Sequence, residues 1–162
     1  MVLTGKGGVS NKRGRDECLA PTEPHWRWRL NMAEQVAANL DAERFGVKSL
    51  YVFGSVKNAT AGPGSDIDLL VHDEGEGPKR ERLAMWLEGW SVTLAEMNYL
   101  RTGFRSDGLL DVHYVTDDDI ARQTSFAIKI GAVTDAARRL SLRQPGQEKS
   151  APADAPGAGD SK

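Results

Sequence analysis

The first apolar pattern in the chain recurs every four residues and predicts an amphipathic helix. Its positions are Trp28, Met32, Val36 and Leu40. Ala33 and Ala37 lie beside them, and Gly46 follows as the predicted helix C-cap. A longer pattern with the same spacing begins at about Lys79, continues to Gly103 and predicts a second helix. Its apolar positions are Leu83, Trp86, Leu87, Trp90, Leu94 and Met97.

Three short apolar runs are typical of strands, and they cover residues 49–53, 66–71 and 109–115. Residues 54–65 are rich in Gly, Ser, Asn, Thr and Pro, and we expect a loop with one helical turn there. Thr116 is a predicted N-cap, with three aspartates in the first turn of a last helix. Residues 126–133 fit either a continuation of that helix or a short strand. The order of elements predicts an α/β fold around a small sheet.

The two ends of the 162-residue chain differ in composition from its middle. Residues 1–24 are rich in Gly, Lys, Arg, Ser and Pro, and we expect a flexible arm. Residues 144–162 are mostly Pro, Ala, Gly, Ser and charged residues, which predicts a disordered tail. Residues 25–143 are left for one domain with a modest hydrophobic core.

Composition and charge exclude several classes of protein. With 40% apolar and 27% charged residues the chain is neither wholly disordered nor fibrous. The formal net charge is −2, and residues 31–140 hold 17 acidic against 12 basic side chains, so nucleic acid is not an expected partner. The lone Cys18 excludes an intrachain disulfide and a cysteine-based zinc site. No apolar run approaches a membrane span and residues 1–10 lack the apolar core of a secretory signal, so we expect no membrane partner and a cytoplasmic location.

Asp66 and Asp68 alternate along an apolar run, which puts their side chains on one face of a strand, roughly 6.6 Å apart. Two such carboxylates raise each other's pKa unless a cation lies between them. Ligands of this kind suit Mg²⁺ or Mn²⁺ rather than zinc. For the pair alone the alternative stays open that the aspartates face water while Ile67, Leu69 and Val71 face the core.

A second feature lies upstream of these aspartates. Gly54 and Ser55 directly follow an apolar strand, and ten residues separate Ser55 from Asp66. Glycine lets a phosphate chain approach the backbone closely, and serine offers an amide and a hydroxyl to phosphate oxygens. Together the two features suggest the two halves of a nucleoside triphosphate site.

Residues 51–71, YVFGSVKNATAGPGSDIDLLV, resemble the signature of the DNA polymerase β nucleotidyltransferase superfamily, in which Gly-Ser is followed after ten residues by Asp-x-Asp. The family usually adds a third carboxylate on a later strand, and Asp111 matches that position. Minimal nucleotidyltransferases are the members closest in size. The resemblance implies a nucleotidyltransferase fold of the α/β (α+β) class, a small mixed sheet with helices packed mainly on one face.

The resemblance also implies an activity: transfer of a nucleoside monophosphate, AMP from ATP in the first place, to a hydroxyl-type acceptor with release of pyrophosphate. Asp66, Asp68 and Asp111 would bind Mg²⁺ or Mn²⁺, and Asp111 would assist deprotonation of the acceptor. The implied nucleotide-binding residues are Gly54, Ser55, Lys57 and Ser65. Many members carry a basic residue and a glycine soon after Gly-Ser, where this chain has Asn58-Ala59, and we expect Lys57 to compensate.

Two other functions remain open. One is a catalytically weak or inactive, antitoxin-like module that docks on a protein, since minimal nucleotidyltransferases often act beside a small helical HEPN-type partner. The other is a terminal domain of a larger enzyme. Residues 5–12 resemble a P-loop only by coincidence, because no buried strand precedes them. Residues 25–29 alternate basic and aromatic side chains, which favours a helix entry with Trp28 inward over a nucleic-acid contact. For His113, a structural role is favoured over a substrate contact.

Overall fold

A four-stranded mixed sheet organises residues 23–143, the part of the chain that the computed structural model describes. The strands are β1 (Val47–Phe53), β2 (Ile67–Asp73), β3 (Leu110–Val115) and β4 (Arg138–Leu140). The helices are α1 (His25–Asn39), α2 (Ala42–Phe45), α3 (Gly54–Lys57), α4 (Pro78–Thr102) and α5 (Asp117–Arg122), with a 3₁₀ turn at Ala127–Lys129. The predicted tail, Cys18, the P-loop-like segment and nearly all of the predicted arm lie outside the described residues.

The strands lie in the order β3-β2-β1-β4. β1 pairs antiparallel with both β2 and β4. β2 pairs parallel with β3, and the crossover helix α4 connects these two strands. This is the mixed sheet that the resemblance implied. Sequence patterns did not predict β4, because a strand of three residues with two arginines has no recognisable alternation. Its Leu140 is nevertheless buried against the core.

The main hydrophobic core lies on one face of the sheet, under α1 and α4. It is formed by Trp28, Val36, Leu40, Leu50, Val52, Ile67, Leu69, Val71, Leu83, Leu87 and Leu94, among others. A smaller cluster on the opposite face contains Phe53, Leu70, Val115 and Ala127 and packs against α5 and the 3₁₀ turn. The prediction that the helices pack mainly on one face of the sheet is therefore confirmed.

Gly46 was expected to cap the first helix, and this expectation is wrong. α1 ends at Asn39 because the backbone becomes extended at Leu40. A separate short helix, α2, follows, with the Asp41 side chain accepting a hydrogen bond from the Arg44 amide. Gly46 caps α2 instead, at a φ of +67° that favours glycine.

The long second helix is confirmed as α4, which ends at Gly103 with a φ of +75°. One of its predicted core positions is wrong, because Met97 is 40% exposed. The next residue, Asn98, occupies the inner position instead and is fully buried. Trp86 and Trp90 are partly buried and pack edge to face, with ring centroids 5.9 Å apart.

Thr116 is confirmed as the N-cap of α5, where its hydroxyl and the Asp119 carboxylate form a capping box. Neither expectation for residues 126–133 is correct. α5 ends at Arg122, where the C-cap Gln123 has a φ of +53°, and only the single 3₁₀ turn follows before irregular backbone. Within the described residues, no helix has both the length and the apolarity needed to cross a bilayer.

Candidate active site

Strand topology brings the predicted site residues to one edge of the sheet. Gly54 and Ser55 directly follow the end of β1. Because β1 is antiparallel to β2, this end of β1 lies beside the start of β2, where Asp66 and Asp68 are found. β3 runs parallel to β2, so the start of β3, with Asp111, lies at the same edge. Residues that are up to 57 positions apart in the chain are thus collected by the sheet.

Asp68 and Asp111 are direct partners in the register between β2 and β3. Their side chains project from the same face of the sheet, because paired residues of adjacent strands share a face. This is the face opposite the main core, since Ile67 and Leu69 on either side of Asp68 are buried in that core. Asp66 comes just before β2 and is exposed, whereas Asp68 is half-buried.

Gly54 lies against Asp68. The φ of Gly54 is +65°, a conformation that L side chains rarely adopt. A Cβ at this position would also collide with the Asp68 Oδ2 atom and lie 3.1 Å from the Asp68 Cγ atom. Both the backbone angle and the close approach therefore require glycine at this position.

The negative charges of the three aspartates act on one another. Although Asp66 is exposed, partial loss of water around its carboxylate raises its pKa, and the charge of Asp111 raises it further, while the positive charge of Arg29 opposes the rise. Burial likewise raises the pKa of Asp68, and the charges of Asp111 and Asp66 add to the effect. His113 and Lys129 partly offset it. The edge of the sheet thus concentrates carboxylates whose charge the protein compensates only in part.

His113 also lies at this edge of the sheet, where it contacts one of the site carboxylates. Its Nε2 atom lies 3.2 Å from the Asp111 Oδ2 atom. The imidazole stacks on the Phe126 ring, with centroids 3.9 Å apart and an interplanar angle of 20°. It also contacts the Phe53 ring at 5.7 Å. His113 is therefore a partly buried group held between two aromatic rings and one of the site carboxylates.

Lys129 is a site cation that sequence patterns did not reveal. Its Nζ atom lies 5.2 Å from the centre of the Phe53 ring, and Phe53 immediately precedes Gly54. Its charge partly offsets the rise in the pKa of Asp68 that burial and the neighbouring aspartates cause. Lys129 forms no ion pair with any residue in the range 23–143. Its charge also acts on Asp135, the carboxylate that pairs with Lys57.

Lys57, in contrast, is already paired. Its Nζ atom donates to the Asp135 Oδ1 atom at 2.7 Å, and the Asn58 side-chain amide donates to the same oxygen at 3.3 Å. These hydrogen bonds lower the pKa of Asp135. The adjacent Ala59 has a φ of +59°, so it keeps a left-handed backbone where the family often has glycine. The role of Lys57 in nucleotide binding stays a prediction.

Ser65 is held inside the loop that leads to Asp66. Its hydroxyl accepts a hydrogen bond from the Gly62 amide at 2.9 Å, and its carbonyl accepts one from the Arg29 Nε atom at 2.8 Å. Arg29 belongs to the segment of alternating basic and aromatic residues, yet it is fully buried. Trp28 is buried as predicted. The contact between Arg29 and this loop joins residues 36 positions apart, so no local pattern could indicate it.

The carboxylates supply the oxygen donors that Mg²⁺ and Mn²⁺ prefer, so the chemistry of the donor set fits such an ion. A divalent cation would also offset the negative charge of the aspartates that the protein leaves uncompensated. Their side chains are not already arranged around a common point: among residues 23–143, no group of three or more His, Cys, Asp and Glu residues forms a metal-binding cluster. In this arrangement Asp111 instead contacts His113.

We expect Gly54→Ala to destabilise the protein more than Gly103→Ala. Both positions have a positive φ, which costs a non-glycine residue about 1–2 kcal/mol. Only at Gly54 does the new methyl group also meet Asp68, since a Cβ at Gly103 has nothing within 4 Å. Urea unfolding of both variants measures the difference. In Gly54→Ala combined with Asp68→Ala the excess should vanish; equal losses for the two single variants would contradict the close approach.

We expect Asp68→Asn to stabilise the metal-free protein in a pH-dependent way. The folded-state pKa of Asp68 is raised, so between its unfolded and folded pKa values the folded protein holds a proton that the unfolded chain releases. Stability contributed by this group is therefore lost as the pH rises from about 3.9 through the folded pKa. Urea unfolding in EDTA should show no gain for the variant below that window and the full gain at pH 7. The exposed Asp107→Asn is the control, and a gain that is independent of pH would contradict the prediction.

Comparisons with known proteins bear on this geometry. Residues 39–114 match the model of a family described as the nucleotidyltransferase domain. A comparison with curated proteins gave no significant match. Among solved structures, the chain is similar to a candidate nucleotidyltransferase from Sulfolobus solfataricus, with 18% identity, a TM-score of 0.34 and coverage of 60% of this chain and 75% of that one. The family whose model matches residues 39–114 is the one that the spacing of Gly-Ser and Asp-x-Asp predicted.

Proposed function

We propose that the protein transfers a nucleoside monophosphate, AMP from ATP, to a hydroxyl group of an acceptor and releases pyrophosphate. One observation carries the proposal: the Gly54 backbone lies against Asp68, which is in register with Asp111, at the edge of the sheet where Asp66 also lies. This juxtaposition pairs a turn that a phosphate chain can approach with a group of carboxylates. The nucleotidyltransferase domain at residues 39–114 supports the same class of reaction.

Asp66, Asp68 and Asp111 would hold Mg²⁺ or Mn²⁺ at this edge. When bound, a divalent ion neutralises phosphate oxygens and makes a hydroxyl more acidic. The carboxylates of this chain contribute the ligand oxygens, and their mutual repulsion favours binding of a cation. Gly54 and Ser55 would receive the triphosphate from the side of β1.

The transfer step needs a proton acceptor. A bond forms between the acceptor oxygen and the α-phosphorus, the bond from that phosphorus to the bridging oxygen breaks, and pyrophosphate leaves. We assign the hydroxyl proton to Asp111, whose Oδ2 atom lies 3.2 Å from the His113 Nε2 atom. An imidazole at this distance can share or relay the proton, and its stacking on Phe126 fixes the orientation of the ring.

Lys129 would supply the positive charge that many family members place soon after Gly-Ser. Lys57 is occupied by Asp135, whereas Lys129 lies over Phe53 beside the turn and makes no ion pair among the described residues. A lysine ammonium binds phosphate oxygens as a compact point charge. We therefore place Lys129 against the triphosphate.

A second candidate function, a binding module that docks on a small helical protein, has one observation in its favour. α4 exposes Met85, Val92 and Leu100, with 65%, 53% and 75% of their surfaces accessible. Their spacing of seven and eight residues puts them along one side of the helix. An apolar stripe of this kind is typical of a surface that packs against another helix.

The proposed reaction is tested by incubation of the purified chain with Mg²⁺ and ATP labelled on the α-phosphate, with and without cell lysate as a source of acceptors. We expect labelled product and pyrophosphate from the wild type. Asp111→Asn should fold and still bind nucleotide, but its transfer rate should fall by at least about 100-fold, because a general base typically contributes 10²–10⁴-fold. Asp66→Ala combined with Asp68→Ala should abolish transfer.

The exposed Asp107→Asn serves as the matched control, and it should transfer at the wild-type rate. Label transfer that persists in the combined Asp66→Ala and Asp68→Ala variant would contradict the proposed site. Nucleotide binding without any transfer, together with co-purification of a small helical protein, would favour the binding module instead.

We expect Lys129→Met to raise the KM for ATP by about tenfold with a smaller change in kcat. A hydrogen bond to a charged group contributes about 1.5–3 kcal/mol, and a contact made equally in the ground state and the transition state appears in KM. Steady-state kinetics with Lys79→Met as the control measures the effect, because Lys79 pairs with Glu74 near the start of α4. An unchanged KM in Lys129→Met would remove Lys129 from the nucleotide site.

A further inference from the structure

Arg29 of α1 is a charged residue with 0% of its surface exposed, and it forms no ion pair with any residue in the described range 23–143. Burying a guanidinium group is costly unless hydrogen-bond acceptors replace the lost water. The groups that accept from Arg29 therefore indicate what its burial achieves.

Two of these acceptors lie in the segment that precedes Asp66; the others are the Asn98 side chain and the His25 carbonyl, to which the Arg29 Nη1 atom donates at 3.4 Å. The Arg29 Nε atom donates to the Ser65 carbonyl at 2.8 Å, and the Nη2 atom donates to the Pro63 carbonyl at 2.9 Å. Asn98 of α4, also 0% exposed, accepts from the same Nη2 atom at 3.0 Å. The Asn98 amide in turn donates to the Pro63 carbonyl at 3.0 Å. A helix on each side thus holds the backbone of residues 63–65.

The held segment continues directly into Asp66. The Gly62 carbonyl accepts from the Ser65 amide at 3.2 Å and the Ser65 hydroxyl accepts from the Gly62 amide at 2.9 Å, so the turn is closed on itself as well as clamped from below. The charge of Arg29 also reaches the carboxylate of Asp66, where it partly offsets the rise in pKa that burial and Asp111 cause, while burial lowers the pKa of Arg29. Asp66 has no strand pairing of its own, because β2 begins at Ile67.

We propose that Arg29, oriented by Asn98, is a positioning residue that fixes residues 63–65 and thereby sets where Asp66 presents its carboxylate to a divalent cation. This inference rests on the proposed function of the site. A planar guanidinium group suits the task, because its donors diverge in one plane and can hold two carbonyl groups and one amide oxygen at once. A lysine has the charge but not this geometry.

The test measures Mn²⁺ binding by electron paramagnetic resonance and backbone hydrogen exchange by mass spectrometry on the full chain. In Arg29→Gln we expect a 10–100-fold loss of Mn²⁺ affinity, the range usual for residues that orient metal ligands, and faster exchange in residues 62–67. Arg29→Lys and Asn98→Ala should give smaller losses in the same direction. These two variants decide the question if Arg29→Gln does not fold.

Arg80→Gln is the matched control. Arg80 forms a two-pronged contact with the buried Asp73 at the opposite end of β2, about 23 Å from Asp66 by strand rise. The Arg80→Gln variant should lose thermal stability, but its Mn²⁺ affinity and the rate of hydrogen exchange in residues 62–67 should match those of the wild type. Unchanged binding and exchange in the Arg29 and Asn98 variants, or equal losses in Arg80→Gln, would overturn the positioning role. If the wild type bound no Mn²⁺, the proposed function would fail, while faster exchange confined to the Arg29 and Asn98 variants would still support the clamp.

Discussion

The like charges of Asp68 and Asp111 are the constraint on which this end of the sheet depends. The two residues are partners in the parallel register between β2 and β3. The backbones of these adjacent strands lie about 4.8 Å apart, so the sheet prevents the two residues from separating. Their surroundings offset the repulsion with a histidine beside Asp111 and a lysine whose charge reaches Asp68. These positive groups offset only part of the repulsion between the aspartates. The remaining negative charge favours binding of a cation.

The hydrophobic core is what enforces that register. Ile67, Leu69 and Val71 of β2 are all fully buried on the main face, so Asp68 must point to the other face. A slip of one residue would turn the aspartate into the core and the apolar residues out of it. The smaller cluster on the opposite face leaves the starts of β2 and β3 free for polar groups. Packing of the apolar side chains on one face of the sheet thus keeps the carboxylate of Asp68 on the opposite face.

This chain departs from the family pattern at two positions after Gly-Ser, and the structure offsets the two departures in different ways. Ala59 keeps a left-handed backbone at a φ of +59°, so the shape of the turn survives the loss of glycine, at a cost of about 1–2 kcal/mol. Lys57, which is expected to replace the missing basic residue, pairs with Asp135, and its role in nucleotide binding stays a prediction. Lys129 contacts the ring of Phe53, the residue that precedes Gly54. The backbone conformation is thus retained locally, while a cation near the turn comes from a distant part of the chain.

By itself the sequence predicted the main helices, three strands, the resemblance to a nucleotidyltransferase family and a Gly-Ser turn beside carboxylates, because periodicity and motif spacing are local properties. It did not reveal β4 or the 3₁₀ turn, which have too few residues to show a period. Only the tertiary structure decided that Lys57 pairs with Asp135, that Lys129 lies at the site and that Arg29 holds the segment before Asp66. Two of these contacts join residues 78 and 36 positions apart, and such partners are chosen by packing rather than by any local pattern.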